Sequence, residues 1–416
     1  MPYFLTVIAA PTTRQRGSYE VENSVRAYGS LMTPPRPPLT FVLSSYHDSE
    51  DVNAFSTTIY HMAQALKAEI PDLEIVRFPR IFLHWRLVQA ILRRLPFIRP
   101  ANRDYFLKFC AWRFARRFRN RRVAVINVVD SPLAIFLSKK LPVINVSDAT
   151  HALLETSYYG VYDGLSDEDT ALQHRADRAA IHSLHACFSS AWALDSAVRD
   201  YGGNPENLSV ISWGCNLPGL PRDQARLVAD DSRCRLLFVG AQWRRKGGDM
   251  VLQVARLLHV RGLPVSVDLA GVRPEDPFPD GVDVTYHGRL DKNDPAQLEQ
   301  MIELYRRATF FVLPTKQDCT PMVFSEANML GTPAVTSDVG GVSSVVRHGK
   351  NGLVLPADAK ASDFADAIEA LWKDSSRYEA LRRSSRTEYE ERLNWKTWAH
   401  EIVRLIHSLD EQGKIP

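Results

Sequence analysis

Cysteine is scarce in this 416-residue sequence. Cys110, Cys187, Cys215, Cys234 and Cys319 are odd in number and scattered, and no Cys-x-x-Cys pair occurs. That argues against a disulfide framework or a thiolate zinc site and fits a reducing, cytoplasmic setting. No apolar run approaches the length of a membrane-spanning helix. The opening Met-Pro-Tyr-Phe-Leu stretch lacks a basic flank and reads as a tail or short strand rather than a secretory signal. A net charge of +3 gives no reason by itself to invoke nucleic acid. No closely repeated motif links the two halves.

What is present suits an α/β protein. One hydrophobic core rarely serves more than about 250–300 residues, so two domains are expected. Apolar residues at 45% and charged residues at 24% are an ordinary globular mixture. Residues 11–38, rich in Arg, Pro and Ser without periodicity, read as a flexible lead-in. Strand-type runs follow at 39–43, 73–78, 123–129, 143–146 and 186–189. Helical periodicity lies between them, as at 58–67, where Ile59, Met62, Ala63 and Leu66 share a face. Segment 211–219, with Gly214, Pro218 and Gly219, breaks the pattern and reads as a hinge.

A second series begins after it. Strands are expected at 235–239, 265–270, 284–287, 310–313, 333–336 and 353–355. Helices are expected at 248–260 and 298–307 and near Pro321, with a helical tail to about residue 409. Alternating strands and helices imply parallel sheets. The reading is two Rossmann-like domains facing a cleft: lead-in 1–38, first domain 39–210, second domain 219–395, and a C-terminal helix 396–416 placed to pack back on the first domain.

Two segments carry chemistry. In Asp318-Cys319-Thr320-Pro321-Met322-Val323-Phe324-Ser325-Glu326, Thr320 suits an N-cap and Pro321 a first helical position. The amides of that turn form an anion site at a strand's carboxyl end. Glu326, on the apolar side of the helix, needs a partner: the two hydroxyls of a ribose, or a protein cation or helix start. In Gly240-Ala241-Gln242-Trp243-Arg244-Arg245-Lys246-Gly247, three successive cations at a helix start oppose its dipole. A diphosphate is one reason for them, a solvated basic turn the other. Asp167-Glu168-Asp169 formally matches a metal-binding Asp-x-Asp and reads as a solvated loop.

Together, Arg245-Lys246-Gly247, Asp318-x7-Glu326, Gly331-Thr332-Pro333, Val339-Gly340-Gly341 and His348-Gly349-Lys350-Asn351-Gly352-Leu353 resemble family 4 (group 1) of the retaining GT-B glycosyltransferases, over residues 207–357. The resemblance implies a nucleotide-diphosphate sugar donor and no metal or other cofactor. It implies that Arg245 and Lys246 neutralise the diphosphate, Glu326 binds the ribose and Asp318 contacts the transferred sugar. Gly240 and the turn from Thr320 through Pro321 and Met322 to Val323 would hold donor oxygens. Departures are Asp318 for the usual Glu, Ala241 where an Arg is common, and Val342-Ser343-Ser344 after the paired glycines.

The first half matches more weakly. Phe55-Ser56-Thr57-Thr58 stands where relatives carry a glycine-rich loop, and Ser56 and Thr57 are candidates for donor phosphate. Asp148 stands where relatives carry His, with His151 three residues on. Either would orient or accept a proton from the acceptor hydroxyl, or Asp148 would simply cap the next helix. Residues 80–122 are dense in Arg and aromatics, with Asp104 the only acid. Three readings stand: helices on an anionic membrane surface, a nucleic-acid face, or core aromatics with solvated arginines. The bulk of the apolar residues favours the first over the second.

The expected activity is retaining sugar transfer to a saccharide, lipid-linked saccharide or other hydroxyl acceptor, by a protein in the cytoplasm or peripheral on the membrane's inner face. A nucleotide-sugar epimerase and a catalytically silent nucleotide-sugar binding module are the alternatives.

Overall fold

The computed structural model describes residues 36–45, 48–52, 54–77, 103–129, 132–157, 165–225 and 232–416. The expected lead-in up to residue 35, and the part of the basic stretch before residue 103, lie outside them.

The first sheet is built from β1 (Leu39–Ser45), β2 (Glu74–Arg77), β3 (Arg122–Val128), β4 (Val143–Ser147), β5 (His185–Phe188) and β6 (Leu208–Val210). Its helices are α1 (Thr58–Glu69), α2 (Arg103–Arg117), α3 (Ala134–Leu137), α4 (His151–Ser157), α5 (Asp167–Ile181) and α6 (Ala191–Tyr201). The second sheet holds β7 (Cys234–Gly240), β8 (Val265–Gly271), β9 (Asp283–Tyr286), β10 (Phe310–Leu313), β11 (Ala334–Ser337) and β12 (Gly352–Leu355). With it run α7 (Trp243–Lys246), α8 (Gly248–Val260), α9 (Pro295–Arg307), α10 (Met322–Met329), α11 (Val342–Val345), α12 (Ala361–Lys373), α13 (Ser375–Glu391) and α14 (Trp395–Glu411).

The strand orders are β2-β1-β3-β4-β5-β6 and β12-β11-β10-β7-β8-β9, and every pairing is parallel. Helices cover both faces of such a sheet, which is why β3 and β7 hold apolar runs at 123–126 and 236–239, and why these two strands and β8 are buried nearly throughout. Both sheets reverse strand order beside their first strand, so the crevice beyond the strands' carboxyl ends is the natural ligand position.

The last helix belongs to the first core. Trp395, Trp398, Ala399, Ile402, Ile406 and Leu409 of α14 are buried against Ile59, Met62, Ala63 and Leu66 of α1. The chain therefore passes between sheets twice, and the two passes touch. Gly214 lies so close to Trp395 that a Cβ there would stand 2.4 Å from its backbone nitrogen. Arg392 donates to Ser212 Oγ at 3.2 Å, and the Trp213 and Trp395 rings lie 6.4 Å apart.

One expectation is corrected and two details are added to the expected elements. The helical tail is three helices, separated at Asp374 and Asn394, whose side chains cap the helices that follow. Asp167, Glu168 and Asp169 are not a loop but the first turn of α5, capped by Ser166, where acidic residues complement the dipole. Strand β6, three residues long, is too short to leave a sequence period. Among the described residues no helix is long and apolar enough to cross a membrane.

Candidate active site

The carboxyl ends of the two sheets enclose a cavity of about 700 Å³. Asp148, just past β4, faces it from the first domain with Phe55 and Thr58, and Trp213 and Asn216 of the crossing segment close one side. Gly240, Arg245, Lys246, Gly271, Arg289, Lys292, Asp318, Thr320, Pro321, Met322, Val323 and Glu326 face it from the second domain.

The wall that carries the cations depends on close backbone packing. Gly240 and Gly271 end adjacent strands, and a Cβ at Gly271 would sit 2.1 Å from the Gly240 carbonyl oxygen. Beyond Gly240, Trp243 is buried and donates to Asp276 at 2.7 Å, anchoring the single turn α7. Gly247 follows at φ 79°, and any side chain there would strike the Pro314 carbonyl. Lys316 N donates to the Arg245 carbonyl at 2.8 Å, which locks α7 to the loop after β10.

Arg245 and Lys246 are thereby aimed at the cavity. Arg245 donates to the Gln317 carbonyl at 2.6 Å, and Lys246 is ion-paired with the buried Asp318. The Asp318 backbone is held in turn: its carbonyl accepts from Gly341 N at 3.1 Å, and a Cβ at Gly340 would lie 2.0 Å from that oxygen. The paired glycines of the motif are required by that approach. Arg244 does not line the cavity; it pairs with Glu275, Asp276 and Asp249 on the surface.

Glu326 is 1% exposed on α10. One of its oxygens is ion-paired with Lys292, and the other accepts from Tyr305 Oη at 3.0 Å. Burial and the Glu326 charge push the Tyr305 phenol well above its ordinary pKa, so it stays protonated and donates. His61 of α1 sits in the field of Lys292 and Glu326; burial and then Lys292 bring its pKa down to about 4, and it is neutral at pH 7. Lys292, Arg289, Tyr305 and His61 were not singled out from the sequence. Arg289 and Lys292 had a signal: they follow the strand-end Gly288 much as Arg245 and Lys246 follow Gly240.

The turn before α10 differs from its sequence reading. Pro321, not Thr320, is the cap residue, and no side chain caps the helix. The Thr320 hydroxyl bonds Ser189 Oγ across the cleft instead. Pro321 has no N–H, so the free amides of the helix start are those of Met322 and Val323, which have no acceptor within the helix.

In the first domain, Ser56 and Thr57 belong to the 3-10 turn Ala54–Thr57, but Phe55 and Thr58 line the cavity and Thr57 does not; the Ser56 side chain lies outside the described residues. Phe55 at φ 49° and Thr57 at φ 70° hold left-handed backbone, the conformation a glycine loop would adopt without strain. Thr58 Oγ1 accepts from Asn216 Nδ2 at 3.0 Å. His151 does not line the cavity. It is buried on α4 among Glu155, His174 and Asp177.

Two facing Rossmann-like domains with a cleft between their carboxyl edges define the GT-B class. Residues 233–374 match the family described as "Glycosyl transferases group 1". The chain is 25% identical over 269 residues to a D-inositol 3-phosphate glycosyltransferase of Rhodococcus jostii, covering 61% of this chain and 59% of that one. It spans less than two thirds of the curated relatives it matches. Among solved structures, a sucrose-phosphate synthase from Thermosynechococcus elongatus superposes with a TM-score of 0.59 at 16% identity, over 90% of this chain and 100% of that one. Anabaena HepE in complex with UDP-glucose superposes with a TM-score of 0.55 at 14% identity, over 89% and 100%.

Proposed function

We propose that this protein transfers a sugar, with retention of configuration, from a nucleotide-diphosphate donor to a hydroxyl acceptor. The observation that carries the reading is the convergence of Arg245, Lys246, Arg289 and Lys292 with the α10 start on one cleft, among Asp148, Asp318 and Glu326. Four cations against three carboxylates leave the unliganded site net positive, which suits a diphosphate.

In this reading the bond from the sugar's anomeric carbon to the β-phosphate oxygen lengthens, and negative charge grows on the departing diphosphate. Arg245, Lys246 and the Met322 and Val323 amides stabilise that charge and do the work a metal does elsewhere. Asp318, fixed by Gly341, accepts from hydroxyls of the transferred sugar. Glu326, pinned by Lys292 and Tyr305, retains lone pairs for the ribose diol. The acceptor oxygen bonds the anomeric carbon on the face the diphosphate leaves, and its proton passes to the leaving phosphate oxygen. Asp148, on the opposite wall, orients that acceptor hydroxyl. The donor's base and sugar and the acceptor (saccharide or lipid-linked saccharide) are identified by a panel of nucleotide sugars, with nucleotide release and product anomer read by NMR. Transfer with retention that persists in excess EDTA is expected. Inverted product, epimerised donor, or binding without turnover would overturn the proposal.

We further propose that α2 lies on an anionic membrane surface. On α2, Leu107, Ala111 and Phe114 face the core, followed by Phe118, while Tyr105, Phe109 and Trp112 are 73%, 51% and 44% exposed. Those three recur at i, i+4 and i+7, flanked by exposed Lys108, Arg113 and Arg116, the pattern of an interfacial helix. Sedimentation with phosphatidylglycerol vesicles, absent with neutral ones and reduced in a Phe109→Ser/Trp112→Ser variant, is expected. Sedimentation that ignores lipid charge counts against it.

A further inference from the structure

His151, Glu155 and His174 form a cluster that the transfer chemistry does not use. His151 and Glu155 stand one turn apart on α4, and His174 comes from α5. His151 Nε2 lies 3.6 Å from one Glu155 oxygen, and His174 Nε2 3.0 Å from the other. The two imidazoles meet edge to face at 5.0 Å, and the three donor atoms lie within 4.8 Å of one another. Around a tetrahedral zinc ion with bonds of about 2.0–2.2 Å, neighbouring donor atoms stand about 3.3 Å apart. With one Glu155 oxygen as donor, the three atoms lie within 4.8 Å of one another, close enough for small side-chain rotations to reach that figure.

We propose that His151, Glu155 and His174 bind one divalent transition-metal ion, zinc by preference, with water as the fourth ligand. Two nitrogens and one carboxylate oxygen are a zinc donor set. The surrounding groups support it. Tyr201, buried on α6, has its hydroxyl 2.8 Å from His174 Nδ1. The same oxygen accepts from Ala152 N at 3.2 Å and is hydrogen-bonded to Asp177. With the ion on Nε2, the neutral His174 ring keeps its proton on Nδ1 and donates it to the Tyr201 oxygen. The Tyr201 hydroxyl then donates to the Asp177 carboxylate, which also accepts from His151 N at 2.5 Å. A histidine–tyrosine–aspartate chain of this kind orients a metal ligand and fixes its tautomer. Access is provided as well: the Glu155 and His174 side chains are each 37% exposed, whereas His151 is buried.

The ion would clamp α4 to α5. Because α4 starts three residues after Asp148, the clamp would stiffen the turn that presents Asp148 to the cleft. It stands apart from the diphosphate, and its binding is measured with no sugar donor present, so it does not depend on the proposed transfer activity.

The test uses the full chain without a polyhistidine tag, stripped with chelator and titrated with ZnCl2 by calorimetry. Cobalt substitution read by visible absorption reports the geometry. One saturable site, a rise in Tm with zinc, and tetrahedral cobalt bands are expected. Glu155→Gln and His174→Gln each weaken zinc affinity by more than about tenfold and abolish the rise in Tm, and Tyr201→Phe weakens it by about 10- to 100-fold. Circular dichroism of the metal-free variants identifies any that fail to fold; the exposed His174→Gln decides if Glu155→Gln does not. Absence of a saturable site, or affinity unchanged in the folded variants, overturns the proposal.

Discussion

At the scale of the residue, the site is organised by pairs. Lys246 with Asp318, and Lys292 with Glu326 and Tyr305, hold their charges in a largely buried wall before any ligand arrives. In the proposed transfer, donor phosphate would compete for lysines that already point into the cleft, which lowers the ordering cost of binding. Lys246→Ala is expected to lower kcat/KM by about a hundredfold or more while the fold is retained, as seen in steady-state kinetics alongside circular dichroism. Thr57 supplies a prediction of opposite sign. A β-branched residue at φ 70° is strained, and glycine would relieve about 1 kcal/mol, offset in part by its greater freedom when unfolded. Thr57→Gly should therefore raise the urea midpoint slightly, and a fall in it would show that the side chain contributes packing the backbone strain conceals.

At the scale of the element, the glycines at crossing points carry more of the fold than any strand. A Cβ at Gly214 would enter the Trp395 ring as well as its backbone, at 2.4–2.7 Å. Gly214→Ala must push α14 away from α1, and a loss of about 3 kcal/mol or more in chemical denaturation is expected, the size of a severe overpacking. Elements of this kind divide what was legible in the sequence from what was not. The strands buried on both faces, β3, β7 and β10, hold continuous apolar runs, and α8 shows its helical period plainly, so their places could be read directly. The cavity-lining loops after β7 and β10 could be read because Arg245, Lys246, Asp318 and Glu326 lie in compact motifs. His61 could not: it is a single polar residue far in sequence from Glu326 and Lys292, and only the folded chain puts it in their field. The Thr320 hydroxyl was misassigned because local capping chemistry cannot foresee a partner from the other domain.

At the scale of the whole molecule, buried histidines couple stability to pH. His61 and His185 are both brought down to about 4, chiefly by burial, with Lys292 and Lys414 respectively adding to the effect. In the unfolded chain they titrate at about 6.5. Between those values the unfolded state binds more protons, so stability is full above pH 6.5 and falls as pH drops toward 4. The urea midpoint should decrease from pH 7 to pH 5, and His61→Gln should make that decrease shallower. An unchanged slope in this variant would show that His61 titrates normally.

The two side-by-side passes of the chain, at 211–217 and 392–395, have a mechanical consequence. Two covalent tethers in mutual contact, at Arg392 with Ser212 and Gly214 with Trp395, permit rotation about the line they define and resist sliding or twisting. Across the cleft, among the described residues, the lobes also meet at Ser189 with Thr320 and at Ala191 N with Ser344 Oγ, 3.0 Å apart. The mouth should therefore swing like a jaw, with those serines as a latch that water can replace when a bulky ligand enters.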